Sequence, residues 1–211
     1  MLLASSAVIE DIRASQRSEQ ASLGYFYCDF RDYKEGSQKD LRGLLSSLLV
    51  QLGEESDAYW AILYDFYADP DRGSEAAIDE KLLGCLKNML ERSGQATVYI
   101  IIDAIDECPT TDVPTPREKV LGFVEELVKL ISPRLRICVT SRPEEDISSA
   151  LDSLKEFCSV THVSLERESG QAEDIAKYVE FYVNKDSKMK LWEEKDKRLV
   201  MEGLSEKADG M

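Results

Sequence analysis

The chain has 211 residues, enough for one large domain or for one domain and the beginning of another. Hydrophobic residues make up 43% and charged residues 32%, which supports a packed core and argues against wholesale disorder. With 41 acidic residues against 26 basic ones the net charge is −15, and no stretch forms a basic stripe, so direct nucleic-acid binding by phosphate neutralisation is not expected.

In chain order, Leu2, Leu3, Val8, Ile9 and Ile12 recur at near-helical spacing, so residues 2 to about 19 read as an amphipathic helix. Met1 to Ile9 is apolar but has no basic residue before it and runs into Glu10 and Asp11, unlike a secretory leader. Gly24 to Phe30 is aromatic and apolar and reads as a strand. Ser37 and Asp40 make a capping box for a helix carrying Leu41, Leu44, Leu45, Leu48, Leu49 and Leu52. A helix over about 55–68 holds Tyr59, Trp60, Leu63 and Phe66, and residues 69–73 break it as a turn. Residues 75–92 form a further helix with Ile78, Leu82, Leu83, Leu86 and Leu90 inward.

An apolar strand over 97–103 follows, then a Pro- and Thr-rich loop from Pro109 to Pro116. A helix at about 117–131 leads to a strand over 135–141, and Val160 to Leu165 reads as a short last strand. Asp174 to Val183 and about 189–202 read as helices. Strands separated by helices, with no hairpin signal, imply a parallel sheet covered on both faces. No apolar stretch approaches the roughly 20 residues that span a bilayer, so no membrane insertion is expected.

Five cysteines, Cys28, Cys85, Cys108, Cys138 and Cys158, are odd in number and include no C-x-x-C pair. They read as free thiols of a reduced, cytoplasmic compartment rather than as a disulfide framework. His162 is the sole histidine, which leaves almost no material for a His/Cys zinc site, and it reads as a core or edge residue of its strand.

The run Val98-Tyr99-Ile100-Ile101-Ile102-Asp103-Ala104-Ile105-Asp106-Glu107 carries the chemistry. A buried strand delivering an acid to its C-terminal tip is how phosphate-loop nucleotidases hold Mg²⁺. Asp103 is expected at that tip, facing solvent, as the metal-associated carboxylate. Asp106 and Glu107 lie just beyond it, placed to polarise an attacking water. Thr140-Ser141-Arg142-Pro143 follows another apolar strand, and the planar fork of Arg142 suits a terminal phosphate. The plainer alternative for Arg142 is a surface ion pair with Glu144, Glu145 or Asp146. None of the eleven glycines precedes a lysine, so the chain contains no G-x-x-x-x-G-K-[ST] loop. Asn184-Lys185-Asp186-Ser187 has its acid one place early for a guanine-reading element and reads as a loop; Trp192 reads as part of a helix face.

Taken together, Tyr25 to Phe30, Tyr99 to Glu107 and Val139 to Glu144 resemble the NACHT domain of STAND-class P-loop ATPases. The resemblance is to the fungal heterokaryon-incompatibility and nephrocystin-like N-terminal type, and it covers nearly the whole chain. It implies a three-layer α/β parallel sheet with flanking helices, lacking its first, phosphate-loop strand. Residues 1–168 would be the partial nucleotide-binding core and 169–211 the start of the C-terminal helical part. It also implies roles: Asp103 as the Mg²⁺-associated Walker B acid, Asp106 and Glu107 as catalytic acids, Arg142 as the sensor. Ala104 stands where such domains often have glycine.

ATP and Mg²⁺ are the intact family's ligands, and a chain without the phosphate-cradling amides and lysine is expected neither to bind ATP tightly nor to hydrolyse it. The expectation is a truncated ATP-dependent signalling switch, whose partners would be NACHT homo- or hetero-oligomers. The alternative is a non-catalytic interaction module that docks on intact NACHT partners through unpaired strand edges. An active ATPase with an unconventional phosphate site ranks last.

Overall fold

The computed structural model describes residues 2–16, 21–28, 41–68, 78–92, 97–111, 113–130, 132–164, 171–186 and 188–207. The chain divides into two compact units, Met1–Val160 and Thr161–Met211.

In the first unit, α1 (Leu2–Gln16) leads to strand β1 (Ala21–Tyr27). Helices α2 (Leu41–Glu55), α3 (Asp57–Ala68) and α4 (Ile78–Glu91) precede strand β2 (Thr97–Asp103). A single 3₁₀ turn (Ile105–Glu107), helix α5 (Pro116–Lys129), strand β3 (Leu135–Val139) and helix α6 (Glu145–Ser153) complete it. The three strands form one parallel sheet in the order β1-β2-β3. The register runs from Ala21 opposite Thr97 to Tyr27 opposite Asp103, and from Val98 opposite Leu135 to Ile102 opposite Val139. This is an α/β fold with helices on both faces of a parallel sheet.

Strand periodicity decides the two faces. Val98, Ile100 and Ile102 of β2 join the large core with α2, α4 and α5. Ile101 points the other way, where Ile9 of α1 and Leu23 of β1 meet it. Five leucines of α2, Leu44, Leu45, Leu48, Leu49 and Leu52, are at most 1% exposed, each contributing about 2 kcal/mol by leaving water. Their helix presses on β1 at Gly24, where an added Cβ would lie 2.9 Å from Leu48 Cδ2. Gln51 of the same helix reaches β1: its Oε1 accepts from the Tyr25 N–H at 3.0 Å, and its Nε2 donates to the Tyr25 carbonyl at 2.9 Å. These are strand groups that the β1–β2 ladder leaves over, so a side-chain amide occupies the outer edge of the sheet.

Helix α5 begins with a capping box: Thr115 Oγ1 accepts from the Glu118 N–H at 3.0 Å, while the Glu118 carboxylate accepts from the Thr115 N–H at 2.7 Å. Pro116 at its first position costs no hydrogen bond. In the second unit, α7 (Gln171–Lys185) and α8 (Glu194–Lys207) pack on one another around the buried Val183, joined by a 3₁₀ turn at Met189–Leu191.

Several expectations change. Strand β1 begins at Ala21, three residues before Gly24, and residues 29 and 30 lie outside the described residues. So do the capping box at Ser37 and Asp40 and the turn over 69–73. Residues 160–164 form no strand, and His162 is exposed within an irregular stretch. Valine and threonine favour strands, but a strand also needs a neighbour to share its hydrogen bonds. Asn184 and Lys185 belong to the end of α7, and Asp186 accepts from the N–H groups of Lys188 and Met189. Trp192 ends the 3₁₀ turn and is not within α8. Helix α6 was not anticipated.

Candidate functional site

The site forms where β2 and β3 end side by side. Asp103 closes β2 and is 1% exposed, so the expectation of a solvent-facing carboxylate does not hold. The reason is Thr140, the residue after β3, whose Oγ1 donates to Asp103 Oδ1 at 2.5 Å and accepts from the Ala104 N–H at 2.9 Å. The Thr140 backbone carries the β2–β3 pairing one step further, donating to the Ile102 carbonyl and accepting from the Ile105 N–H, both at 3.0 Å. Asp103 is thus sealed by the neighbouring strand end. Its second oxygen, Oδ2, is buried and has no hydrogen-bond partner among the described residues. A buried, unsatisfied carboxylate oxygen costs free energy unless something outside the chain completes it.

Beyond Asp103 the chain turns sharply. Ala104 adopts φ 59° and ψ 51°, the left-handed region that favours glycine. That turn starts the 3₁₀ segment and sends Asp106 toward β3. There Asp106 Oδ1 accepts from the Arg142 N–H at 3.0 Å, and Oδ2 lies 3.5 Å from Arg142 Nε. The Asp106 side chain is 5% exposed and that of Arg142 77%, so the acid is inside and the guanidinium outside. Asp106 therefore holds the start of the Arg142 segment rather than standing free. Among the described residues Arg142 pairs with none of Glu144, Glu145 and Asp146. Glu107 is exposed on the surface of the turn.

A residue that the sequence did not single out ties the region together. Arg117, in the first turn of α5, is 6% exposed. Its Nη2 donates to the Asp106 carbonyl at 2.6 Å and its Nε to the Cys108 carbonyl at 3.3 Å. Its Nη1 donates to the carboxylates of Glu144 and of Asp146, the latter at 3.1 Å. One planar guanidinium thereby clamps the acidic turn to the first turn of α6, a use of the fork that lysine cannot copy. Burial works against its charge, but Glu144 and Asp146 outweigh that and hold the guanidinium above its ordinary value. A sequence signal existed only in part: Pro-Arg-Glu-Lys reads as an exposed helix start, and nothing local marks its arginine as buried.

Two thiols sit beneath the tip. Cys28, just past β1, and Cys108, closing the 3₁₀ turn, are 1% and 2% exposed. The Cys28 N–H donates to the Asp103 carbonyl at 2.9 Å. A hydrogen bond with Cys108, burial, and the nearby Asp103 and Asp106 carboxylates all push the Cys28 thiol far up. All five cysteines are free.

The three acids therefore do not converge. Among the described residues, no group of three or more His, Cys, Asp or Glu side chains could hold a metal ion by itself. Surface clefts of about 300 and 330 Å³ lie at α3–α4 and at β1–α2, and no tip residue lines either. What the tip offers is one unsatisfied carboxylate oxygen, an exposed carboxylate and an exposed arginine on a rigid, cross-braced frame.

The family model of the nephrocystin 3 N-terminal region matches residues 3–142. The chain belongs to that family. The nephrocystin 3 N-terminal match takes in the whole sheet and ends at Arg142, so all four candidate residues fall inside it. No curated protein and no solved structure matches the chain. No helix among the described residues is long and apolar enough to cross a membrane.

Proposed function

We propose that this chain supplies the acid-bearing half of a NACHT-type, P-loop nucleotide switch. The observation that carries the reading is the orphaned Oδ2 of Asp103 at the C-terminal end of the central parallel strand. Mg²⁺ is usually held by one carboxylate from the protein with the remaining ligands from phosphates and water, and Oδ2, buried as it stands, would have to be uncovered to serve as that carboxylate. Bound there, Mg²⁺ supplies neutralisation of the charge that builds on the β- and γ-phosphate oxygens. Glu107, exposed and next to the tip, orients a water. The exposed guanidinium of Arg142 would be the group that reaches a terminal phosphate, with Asp106 fixing its backbone. Thr140 and Arg117 keep these groups in register.

The 211 residues contain no phosphate-cradling loop, so by themselves they are assigned neither tight ATP binding nor hydrolysis. Helix-terminus electrostatics of about 1 kcal/mol do not replace a loop of amides and a lysine. Fluorescent-nucleotide titration tests this. The chain alone should bind ATP no tighter than about 1 mM. Joined to a strand and a Gly-x-x-x-x-Gly-Lys-Ser loop ahead of Leu2, it should bind at micromolar levels, dependent on Mg²⁺ and on Asp103. A joined protein that binds equally well as Asp103→Asn overturns the assignment.

A second reading, a non-catalytic module that associates with intact NACHT partners, draws on one observation. Gln51 occupies the outer edge of β1, whereas each apolar residue of β3 is only half-buried, in contrast to β2. Among the described residues, the β3 edge is then the one open to another strand. Co-elution with a full-length relative that is lost on Ile137→Pro, whose N–H faces away from β2, but kept in Asp103→Asn favours this reading over the first.

A further inference from the structure

Helix α3 carries aromatic residues on both of its faces. Its sequence, DAYWAILYDFYA, holds five in twelve positions. Tyr59, Ile62 and Leu63 go into the core, as an amphipathic helix requires. Trp60, Tyr64 and Tyr67 do not: they are 55%, 67% and 44% exposed. Positions i, i+4 and i+7 share one side of a helix, so these rings form a single outward stripe. The stripe continues onto α2. Gly53 has no side chain to interrupt it, and a Cβ added there would lie 3.7 Å from the Trp60 ring. One turn earlier on α2, Val50 is 43% exposed. Single exposed apolar residues need no explanation, but three rings in one stripe on α3 with an exposed valine on the neighbouring helix do.

Charge around the stripe identifies what would cover it. From Gly43 to Asp71 the sequence has no lysine or arginine, while it has Glu54, Glu55, Asp57, Asp65, Asp69 and Asp71. Glu54, Asp57 and Asp65 are exposed, and Asp57 lies one turn before Trp60 on the stripe's own side. The nearest preceding base, Arg42, is engaged by Asp79 of α4 at 2.9 Å, and Arg92, after α4, is the base that shares a cleft with Asp65, so the acidic rim rests on Glu54 and Asp57. Tryptophan and tyrosine are the side chains that most often anchor interfaces, and their ring faces attract guanidinium and ammonium groups. A rim of carboxylates steers cationic partners in and turns anionic ones away. Two copies of this face would set acid against acid, and anionic lipid or nucleic acid would be repelled.

We propose that the Val50–Trp60–Tyr64–Tyr67 face docks a basic amphipathic helix of a partner protein, its apolar side on the rings and its lysines and arginines on the acidic rim. The test uses the full chain with Trp192→Phe, so that Trp60 is the one fluorescent indole. Three synthetic peptides of about 18 residues serve as probes: a Leu/Lys/Arg amphipathic helix, a scrambled peptide of the same composition, and a Leu/Glu amphipathic helix. The basic helix should bind at micromolar levels and blue-shift Trp60. The double variant Tyr64→Ala, Tyr67→Ala, which leaves the net charge unchanged, should weaken it about tenfold or more. Asp57→Lys should weaken it as well; because Asp57 is the first-turn acid of α3 and Tyr67 packs on Phe66, binding is compared at a temperature where thermal unfolding shows each variant fully folded. Equal affinity for the scrambled peptide, or for the double variant, would mean diffuse attraction to an acidic protein and overturns the proposal. So would binding of the Leu/Glu helix, absence of binding up to about 1 mM, or self-association through this same face in sedimentation.

Discussion

Thr140 and Asp103 are 37 residues apart in sequence and share a 2.5 Å hydrogen bond at adjacent strand ends. The same threonine oxygen accepts from the Ala104 N–H, so its donor and one acceptor position are both in use at the tip. The consequence is that Asp103 is oriented by one oxygen while the other stays unsatisfied. A carboxylate held this way has one fixed orientation.

Removing the hydroxyl tests that arrangement. Thr140→Val keeps the shape but leaves Asp103 Oδ1 and the Ala104 N–H unpaired. Each orphaned group costs about 1–3 kcal/mol, so the variant should lose roughly 2–6 kcal/mol of unfolding free energy. Thr140→Ser keeps both bonds and should lose less than about 1 kcal/mol. Urea unfolding of the two variants measures the contrast. Equal losses would mean that the methyl packing matters and the hydroxyl does not.

Arg117 makes a different prediction because its partners are of two kinds. Arg117→Ala removes the donors to the Asp106 and Cys108 carbonyls and should cost about 2 kcal/mol or more. Glu144 and Asp146, 41% and 54% exposed, rehydrate once freed, which limits the loss. Amide exchange should accelerate over residues 104–108 and 144–148 before it changes in α2. Arg117→Lys should rescue little of this, since an ammonium cannot span four acceptors in one plane. The clamp also has a pH signature. Burial raises the Asp146 carboxyl, but Arg117 and the Ile147 N–H prevail and hold it below its ordinary value. The folded value is depressed, so the contribution is complete above about pH 4 and is lost as the pH falls through the folded value. Half-exposed as Asp146 is, that contribution is no more than about 0.5 kcal/mol after screening. An acid titration in which Asp146→Asn flattens the slope below about pH 4 would verify the sign.

How much of this was legible depended on whether the cause was local. Strand β2 was read with its observed bounds because an unbroken apolar run ending in an acid has few other solutions. The leucines of α2 declared their buried face through spacing alone. Ala21, Ser22 and Leu23 look like linker in the sequence; they are strand because Thr97, Val98 and Tyr99 lie opposite them. Val160 to Ser164 has strand composition and is irregular, which is the same lesson reversed. In the site, the sequence placed Asp103 at the strand tip with Asp106 and Glu107 just beyond it, but it had Asp103 facing solvent, where the structure buries it. The sorting of inside from outside comes from Thr140 and Arg117, both reached only through tertiary contact.

Ala104 gives a prediction in the stabilising direction. A non-glycine residue at φ 59° carries about 1–2 kcal/mol of strain. Glycine relieves it but adds about 0.5–1 kcal/mol of unfolded-chain entropy. Ala104→Gly should therefore raise the unfolding free energy by up to about 1.5 kcal/mol, the net of those two terms. Thermal unfolding decides it, and a destabilised variant would show that the alanine methyl makes contacts outweighing its strain.

The thiols report on the closure of the tip without any ligand. Cys158 is exposed and should be alkylated first by iodoacetamide near pH 8. Cys85 is buried, and burial pushes its thiol up to about 11, so little thiolate is present at that pH. Cys28 is pushed further by its Cys108 hydrogen bond and by burial beside two carboxylates. Peptide mass mapping should find Cys28, Cys85 and Cys108 modified only at the rate of unfolding. Because Cys28 and Cys108 lie under the turn that Arg117 clamps, Arg117→Ala should speed their modification while leaving Cys85 protected. If Cys28 reacts as fast as Cys158 in the unaltered chain, the acidic turn is open in solution, and the sealed Asp103 described above is not its resting state.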